Sequence, residues 1–233
     1  MRLRNVMLIT AVISLFVVAS AVGQDLGNKV SVAYTLKPAP LVTVTNNYSS
    51  RLTGMVMTIS KVVPHRTVEI IWLDSGLNFR HDLPLESGGS RSFQVGPVGQ
   101  ASVLEPQVMA VAFEDSTSAG DPQWLSKLHA RRKAAYDQIG AVTALLNQAL
   151  AERQTNEQII SALNSMKGLL KTSIPEVEIR IAAGLVIETT VSNLERGGVR
   201  GAIGDPEKTV PAAIFPLFAE WRGALKRYDR NMG

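Results

Sequence analysis

Three histidines and a handful of carboxylates are the side chains here that could carry acid–base or metal chemistry. A zinc site or a Ser-His-Asp triad would draw on at least one of His65, His81 and His129. His65 lies in Pro64-His65-Arg66, between two strand-like runs. His81 precedes Asp82 at the end of another, and His129 stands alone in a basic stretch. No two have the close spacing of a helix-borne metal motif, so all three read as exposed and without a catalytic role. Hydrolysis of an extracellular polymer would need two carboxyl groups flanking the scissile bond. Asp74, Asp82, Glu114 and Asp115 are the candidates, and an enzyme would have to bring a pair of them into one cleft. Cysteine is absent. That excludes thiol nucleophiles, thiolate metal sites, iron–sulfur clusters and covalent haem. No catalytic, cofactor-binding or metal-ligating residue is assigned.

The remaining motifs have structural readings. Glu114, Asp115 and Asp121 fall close together, and oxygen-rich loops can hold calcium, but the run lacks the spacing and bidentate glutamate of an EF-hand. A loop ending in a helix cap accounts for them. Arg131-Arg132-Lys133 could meet phosphates or an anionic surface. Successive helical residues point about 100° apart, so the three cannot form one flat patch; a solvated helix face is expected. The glycine-rich run 197–204 has neither a Walker lysine nor a βαβ setting, and reads as a flexible connector. Asn47-Tyr48-Ser49 is a glycosylation sequon, of consequence only in a host that glycosylates.

The elements that must position these groups change character midway. From Val30 to Phe113, β-branched and apolar residues alternate at period two between Gly, Pro, Asn and Ser clusters. Strands are predicted at 30–36, 41–46, 52–60, 67–74, 77–81, 90–95 and 107–114. Within 67–74, Val68, Ile70 and Trp72 oppose Ile71 and Leu73. Within 107–114, Val108, Ala110 and Ala112 oppose Met109, Val111 and Phe113. Seven short strands in this length suit an immunoglobulin-like sandwich without its usual Cys-Trp-Cys pin. Trp72, Phe79 and Phe113 are expected in its core.

Gly120-Asp121-Pro122 then opens a helix, with Asp121 as cap and Pro122 at the first position. Leu125, Leu128, Ala135, Ile139, Val142, Leu146 and Ala149 form one apolar stripe that only Arg132 interrupts. A second helix starts at Thr155, which has capping-box spacing to Gln158. The stretch 175–195 has strand-like alternation as well as helical boundaries, with Gly197-Gly198 as its end; helix is chosen because its neighbours are helical. Pro211 and Pro216 argue against one unbroken helix after Asp205-Pro206, which leaves 216–228 as the last one. No internal repeat or low-complexity tract is found.

The chain opens on a basic head, Met1 to Asn5, followed by an apolar run from Val6 and small residues at Ala19, Ala21 and Gly23. This is a secretory signal pattern with cleavage expected after Ala21 or Gly23. Val6 to Val22 spans about 25 Å as a helix, short of the roughly 30 Å hydrocarbon core. Membrane contact is therefore expected only if this segment is retained. Arg2 and Arg4 leave with it, lowering the net charge from +4 to +2, without the positive excess of a nucleic-acid binder.

The run from Ala110 to Pro122, with Arg131-Arg132 downstream, resembles secreted bacterial proteins of uncharacterised activity. In those, a sandwich strand ends in a Phe-x-Asp-Gly-Thr-like turn and enters a charged helix. Ser116 stands here where glycine is usual. The resemblance covers about residues 40–150, implies an envelope or secreted protein, and carries over no functional residues. The expected architecture is α+β: a signal peptide at 1–23, an immunoglobulin-like sandwich at 24–118 and a mostly helical domain at 119–233. The expected role is an exported, non-catalytic interaction or structural module whose partner is a protein or envelope component. The alternative is a secreted hydrolase using a carboxylate pair.

Overall fold

A computed structural model describes residues 26–35, 41–63, 65–78, 82–95, 104–201 and 210–229; the side chains of 61–63, 65–67, 104, 197–201 and 210–213 are not described. The expected signal peptide at 1–23, Phe79 and His81 lie outside these residues, as does the side chain of His65. The chain is α+β, with two antiparallel sheets followed by helices. Strands β1 (Val30–Thr35), β2 (Leu41–Asn46) and β5 (Ser90–Gln94) form one sheet, in the order β1-β2-β5. Strands β3 (Leu52–Val63), β4 (His65–Asp74), β6 (Leu104–Phe113) and β7 (Ser118–Gly120) form the other, in the order β4-β3-β6-β7.

Alternation explains how the sheets meet. In β2, Val42 and Val44 are buried, while Thr43 and Thr45 face outward and bond across the strand pair to Ser92 and Ser90 at 2.8 and 2.7 Å. The buried row packs with Met55, Met57, Ile59, Leu73, Val111 and Phe113 of the larger sheet. Two bulges adjust that sheet. One extra residue turns the rest of the strand to the other face. Between Val56 and Met57 the partner on β6 skips from Ala110 to Val108. Val108 therefore joins Val111 and Phe113 in the inter-sheet core, while Met109, Ala110 and Ala112 serve the opposite face. The strict alternation expected along 107–114 breaks at this point.

Helix α1 (Pro122–Ala151) lies on that opposite face, where Val56, Ala110 and Ala112 meet Leu128, Trp124 and Leu125. Small side chains on the strands let the helix come close. The other side of α1 joins α2 (Asn156–Ser173), α3 (Val177–Gly201) and α4 (Val210–Tyr228) in a second core built on Ile139, Leu146, Leu163, Val186, Phe218 and Trp221. Both expected caps form. Asp121 accepts from the backbone N–H of Gln123 and Trp124, and Thr155 and Gln158 make a reciprocal capping box.

Several boundaries differ from the sequence reading. No strand forms at 77–78, which is a turn; the rest of the expected 77–81 strand lies outside the described residues. The seventh strand is β7, in the stretch expected to be a junction loop. It pairs with β6 through a hairpin in which Ser116 takes φ 71°, a left-handed conformation that explains why glycine would suit that position. Gly120 has φ 115°, and a Cβ there would strike the Met109 carbonyl. Gly197-Gly198 does not end α3, which continues to Gly201, so the first part of the expected connector is helix. Helix α4 starts at Val210 and carries Pro216 inside it. Ile214, Leu217, Phe218 and Trp221 are all buried, and their packing offsets the roughly 3 kcal/mol that an interior proline costs.

Candidate functional site

The basic run on α1 is the place where the structure departs furthest from expectation. A solvated face is expected there, yet only Lys133 is solvated, paired with Asp137 one turn on at 2.6 Å. Arg132 is wholly buried. Its Nε donates to both oxygens of Asp74 at 3.0 and 3.2 Å, Nη1 to the Tyr228 carbonyl at 2.8 Å, and Nη2 to the Thr53 carbonyl at 2.9 Å. One side chain thus joins α1, two strands and the end of α4. A helix between a sheet and other helices has little open surface, and the 100° step sends neighbouring residues to different layers.

Arg131 points another way, toward β4 and α3. Its guanidinium stacks 4.2 Å from the Trp72 ring centroid, and Nη1 donates to the carbonyl and carboxylate of Glu178 at 3.1 Å. Burial pushes the Arg131 guanidinium below its ordinary pKa, while Asp74 and Glu178 pull it back up. Trp72 does not enter the sandwich core as expected. It packs on the helix side, 5.8 Å from Trp124 between ring centroids. Phe113 does lie in the core, its ring tilted 52° against that of Tyr48 with centroids 4.6 Å apart.

Beyond Asp74 the chain turns into the helical layer. The Gly76 N–H donates to Asp74 Oδ1 and the Gly76 carbonyl accepts from Trp221 Nε1, both at 3.0 Å. Leu77 is buried in the helical core. A cleft of about 400 Å³ opens between this turn, the end of β4, and helices α1, α2 and α3. Its apolar wall includes Leu77, Leu170, Ile181 and Leu185, and its charged groups include Arg131, Lys167, Lys171 and Arg180. A second cleft of about 380 Å³ shares Leu77, Asn78, Leu185 and Glu188 with it.

Two of the four candidate acids line the first cleft. Asp74 is committed to Arg132. Asp82 accepts from Asn78 Nδ2 at 3.1 Å and lies 3.7 Å from Arg91. The other two sit at the β6–β7 turn and do not line the cleft: Glu114 is 3.7 Å from Arg51, and Asp115 accepts from the Thr117 N–H at 2.9 Å. Asp121 caps α1 away from both. Among the described residues no group of three or more His, Asp or Glu side chains is placed to hold a metal ion. His129, expected to be exposed, is half-buried. Its Nδ1 lies 2.6 Å from the buried Asp229 carboxylate at the end of α4. Asn47 of the sequon is exposed at its turn.

The cleft itself is not legible in the sequence. Its one visible signal is Arg132 interrupting an apolar stripe, which marks a buried charge needing a partner. Nothing local points to Asp74 as that partner. Among the described residues no helix is long and apolar enough to cross a membrane. Comparisons with protein-family models, curated proteins and solved structures find no significant match.

Proposed function

We propose that this chain is an exported, non-catalytic binding module of the bacterial envelope or secreted space. The reading takes the paired sheets as an immunoglobulin-like sandwich, on their division into three and four antiparallel strands around one apolar core. The observation that carries it is the state of the cleft's charged groups. Asp74 is bound by Arg132, Arg131 by Glu178, and Lys167 by Glu188 at 2.6 Å. These bonds fix shape and field, as a binding site requires; a catalytic pair needs groups free to exchange protons. Export rests on the basic head, apolar run and small residues of 1–23.

The test is to recover the protein from an exporting bacterial host, sequence its N-terminus, and cross-link it in the intact envelope. A start at Val22 or Gln24 with a reproducible cross-linked partner supports the reading. An intact Met1 in the cytoplasm refutes export. Asp74 and Asp82 on one cleft is the observation that favours a hydrolase. If envelope polymer is cleaved by the wild type and not by Asp82→Asn, that second reading replaces the first.

A further inference from the structure

Two buried donors in the cleft have no acceptor among the described residues. Trp72 Nε1 and Arg131 Nε are both shielded from solvent and make no hydrogen bond there, and both residues line the same cleft. The Arg131 side chain is only 9% exposed. Neither group can accept, and neither can satisfy the other, because indole and guanidinium N–H groups only donate. A buried donor left unpaired is costly, and with the Arg131 guanidinium 4.2 Å from the Trp72 ring centroid an acceptor oxygen beside these two groups would be stabilised.

The surrounding charges specify that acceptor. The cleft's other ions largely cancel: Lys167 with Glu188, Arg131 with Glu178, Asp74 with Arg132, and Asp82 near Arg91. Lys171 and Arg180 remain. Arg180 donates to the carbonyls of Ile174 and Pro175 and has no carboxylate partner among the described residues. The cleft therefore carries a positive excess. The lining also includes apolar Leu77, Leu170, Ile181 and Leu185, and Ile181 is 54% exposed. A volume of about 400 Å³ falls in the range of small-molecule pockets.

We infer that this cleft binds a small anionic amphiphile, with its oxyanion head at Trp72 Nε1 and Arg131 Nε and its apolar body along Leu170, Ile181 and Leu185. The inference rests on the binding-module reading and deepens it. A carboxylate and a phosphate monoester share the required chemistry, so both heads are tested.

The experiment titrates the mature protein with decanoate, decyl phosphate, inorganic phosphate and decanol, below micellar concentrations. Binding is read by calorimetry and by the indole N–H resonances of the three tryptophans. Decanoate or decyl phosphate should bind saturably, one per chain, and shift the Trp72 indole resonance. Phosphate and decanol, each lacking half the ligand, should bind at least about tenfold more weakly. Trp72→Phe keeps the ring beneath Arg131 and removes the donor; it should weaken binding about tenfold, the equivalent of one hydrogen bond to a charged acceptor. Lys171→Gln with Arg180→Gln should weaken it similarly and reduce its salt dependence. Lys133→Gln, outside the cleft, should change nothing. No saturable binding of either amphiphile overturns the inference, as does binding with an unmoved Trp72 indole or with no response to the Lys171→Gln, Arg180→Gln double variant. If those results come with an intact envelope cross-link, only the ligand is refuted and the module reading stands.

Discussion

The four-stranded sheet meets a different kind of neighbour on each face. Toward the smaller sheet it presents Met55, Met57, Ile59, Val111 and Phe113, a layer of apolar side chains. Toward α1 it presents a short apolar patch and, beside it, the Asp74 carboxylate and the Thr53 carbonyl, which bind the wholly buried Arg132 of that helix. An apolar layer is non-directional and tolerates repacking, because burial follows area more than orientation. A buried ion pair tolerates little, since each partner left alone is an uncompensated charge in a poor solvent. One face should thus supply stability, and the other should set how helices and sheet dock.

The largest effect expected from that contrast is at Arg132. Arg132→Met strands the buried Asp74 carboxylate and should cost about 3–5 kcal/mol in denaturant unfolding. Adding Asp74→Leu should recover part of the loss, because no unpaired charge remains. Recovery should be incomplete, since the Thr53 and Tyr228 carbonyls stay without their donor at about 1 kcal/mol or more each. A single variant within about 1 kcal/mol of wild type would break the comparison, as would a double variant no better than the single.

Gly54→Ala probes the same face sterically. A Cβ there would stand 2.5 Å from Arg132 Nη2 and 3.0 Å from Leu128 Cδ2. A free arginine would move aside, but this one is held at all three nitrogens. A loss of about 1–3 kcal/mol is expected, the usual range for overpacking. On the opposite face, Met57→Leu keeps the volume of a fully buried side chain and should cost less than about 1.5 kcal/mol. If Met57→Leu proved the more damaging of the two, the assignment of roles to the faces would be reversed.

The two faces also differ in how far they can be read from sequence. The inter-sheet layer announces itself by period-two alternation in β2 and β4, although in β4 the core side is that of Ile71 and Leu73 and not, as expected, that of Trp72. The failures there are local: the bulge at Met109 reverses facing without a proline or glycine to mark it. The helix-facing layer is legible only in part. The α1 stripe and both caps arise from local residue chemistry. The roles of Arg131, Trp72 and His129 do not, because each depends on a group far away in the chain: Glu178, the α1 guanidinium and Asp229. A lone charge in an apolar stripe says that a partner must exist; only the tertiary fold says which one. The cleft is invisible for the same reason, since five separate elements contribute its walls.

The smallest expected effect lies where the two regions are joined. Asp121 comes directly after β7 and opens α1, so its cap fixes the point at which the sheet becomes helix. Its Oδ1 accepts from Gln123 N–H at 2.8 Å and from Trp124 N–H at 3.3 Å, and its own N–H donates to the Met109 carbonyl on β6. Asp121→Ala removes the first two bonds and leaves the third. It should cost about 1 kcal/mol, the usual loss for a cap. Asp121→Asn retains an accepting oxygen and should stay within about 0.5 kcal/mol of wild type. Hydrogen exchange sharpens the test. If the cap serves only α1, protection should fall at Gln123 and Trp124 and hold at Val111 and Ala119, which pair in the sheet. Protection lost on both sides would mean that the first turn of α1 and the β6–β7 hairpin open together, and that the sheet–helix joint is one cooperative unit.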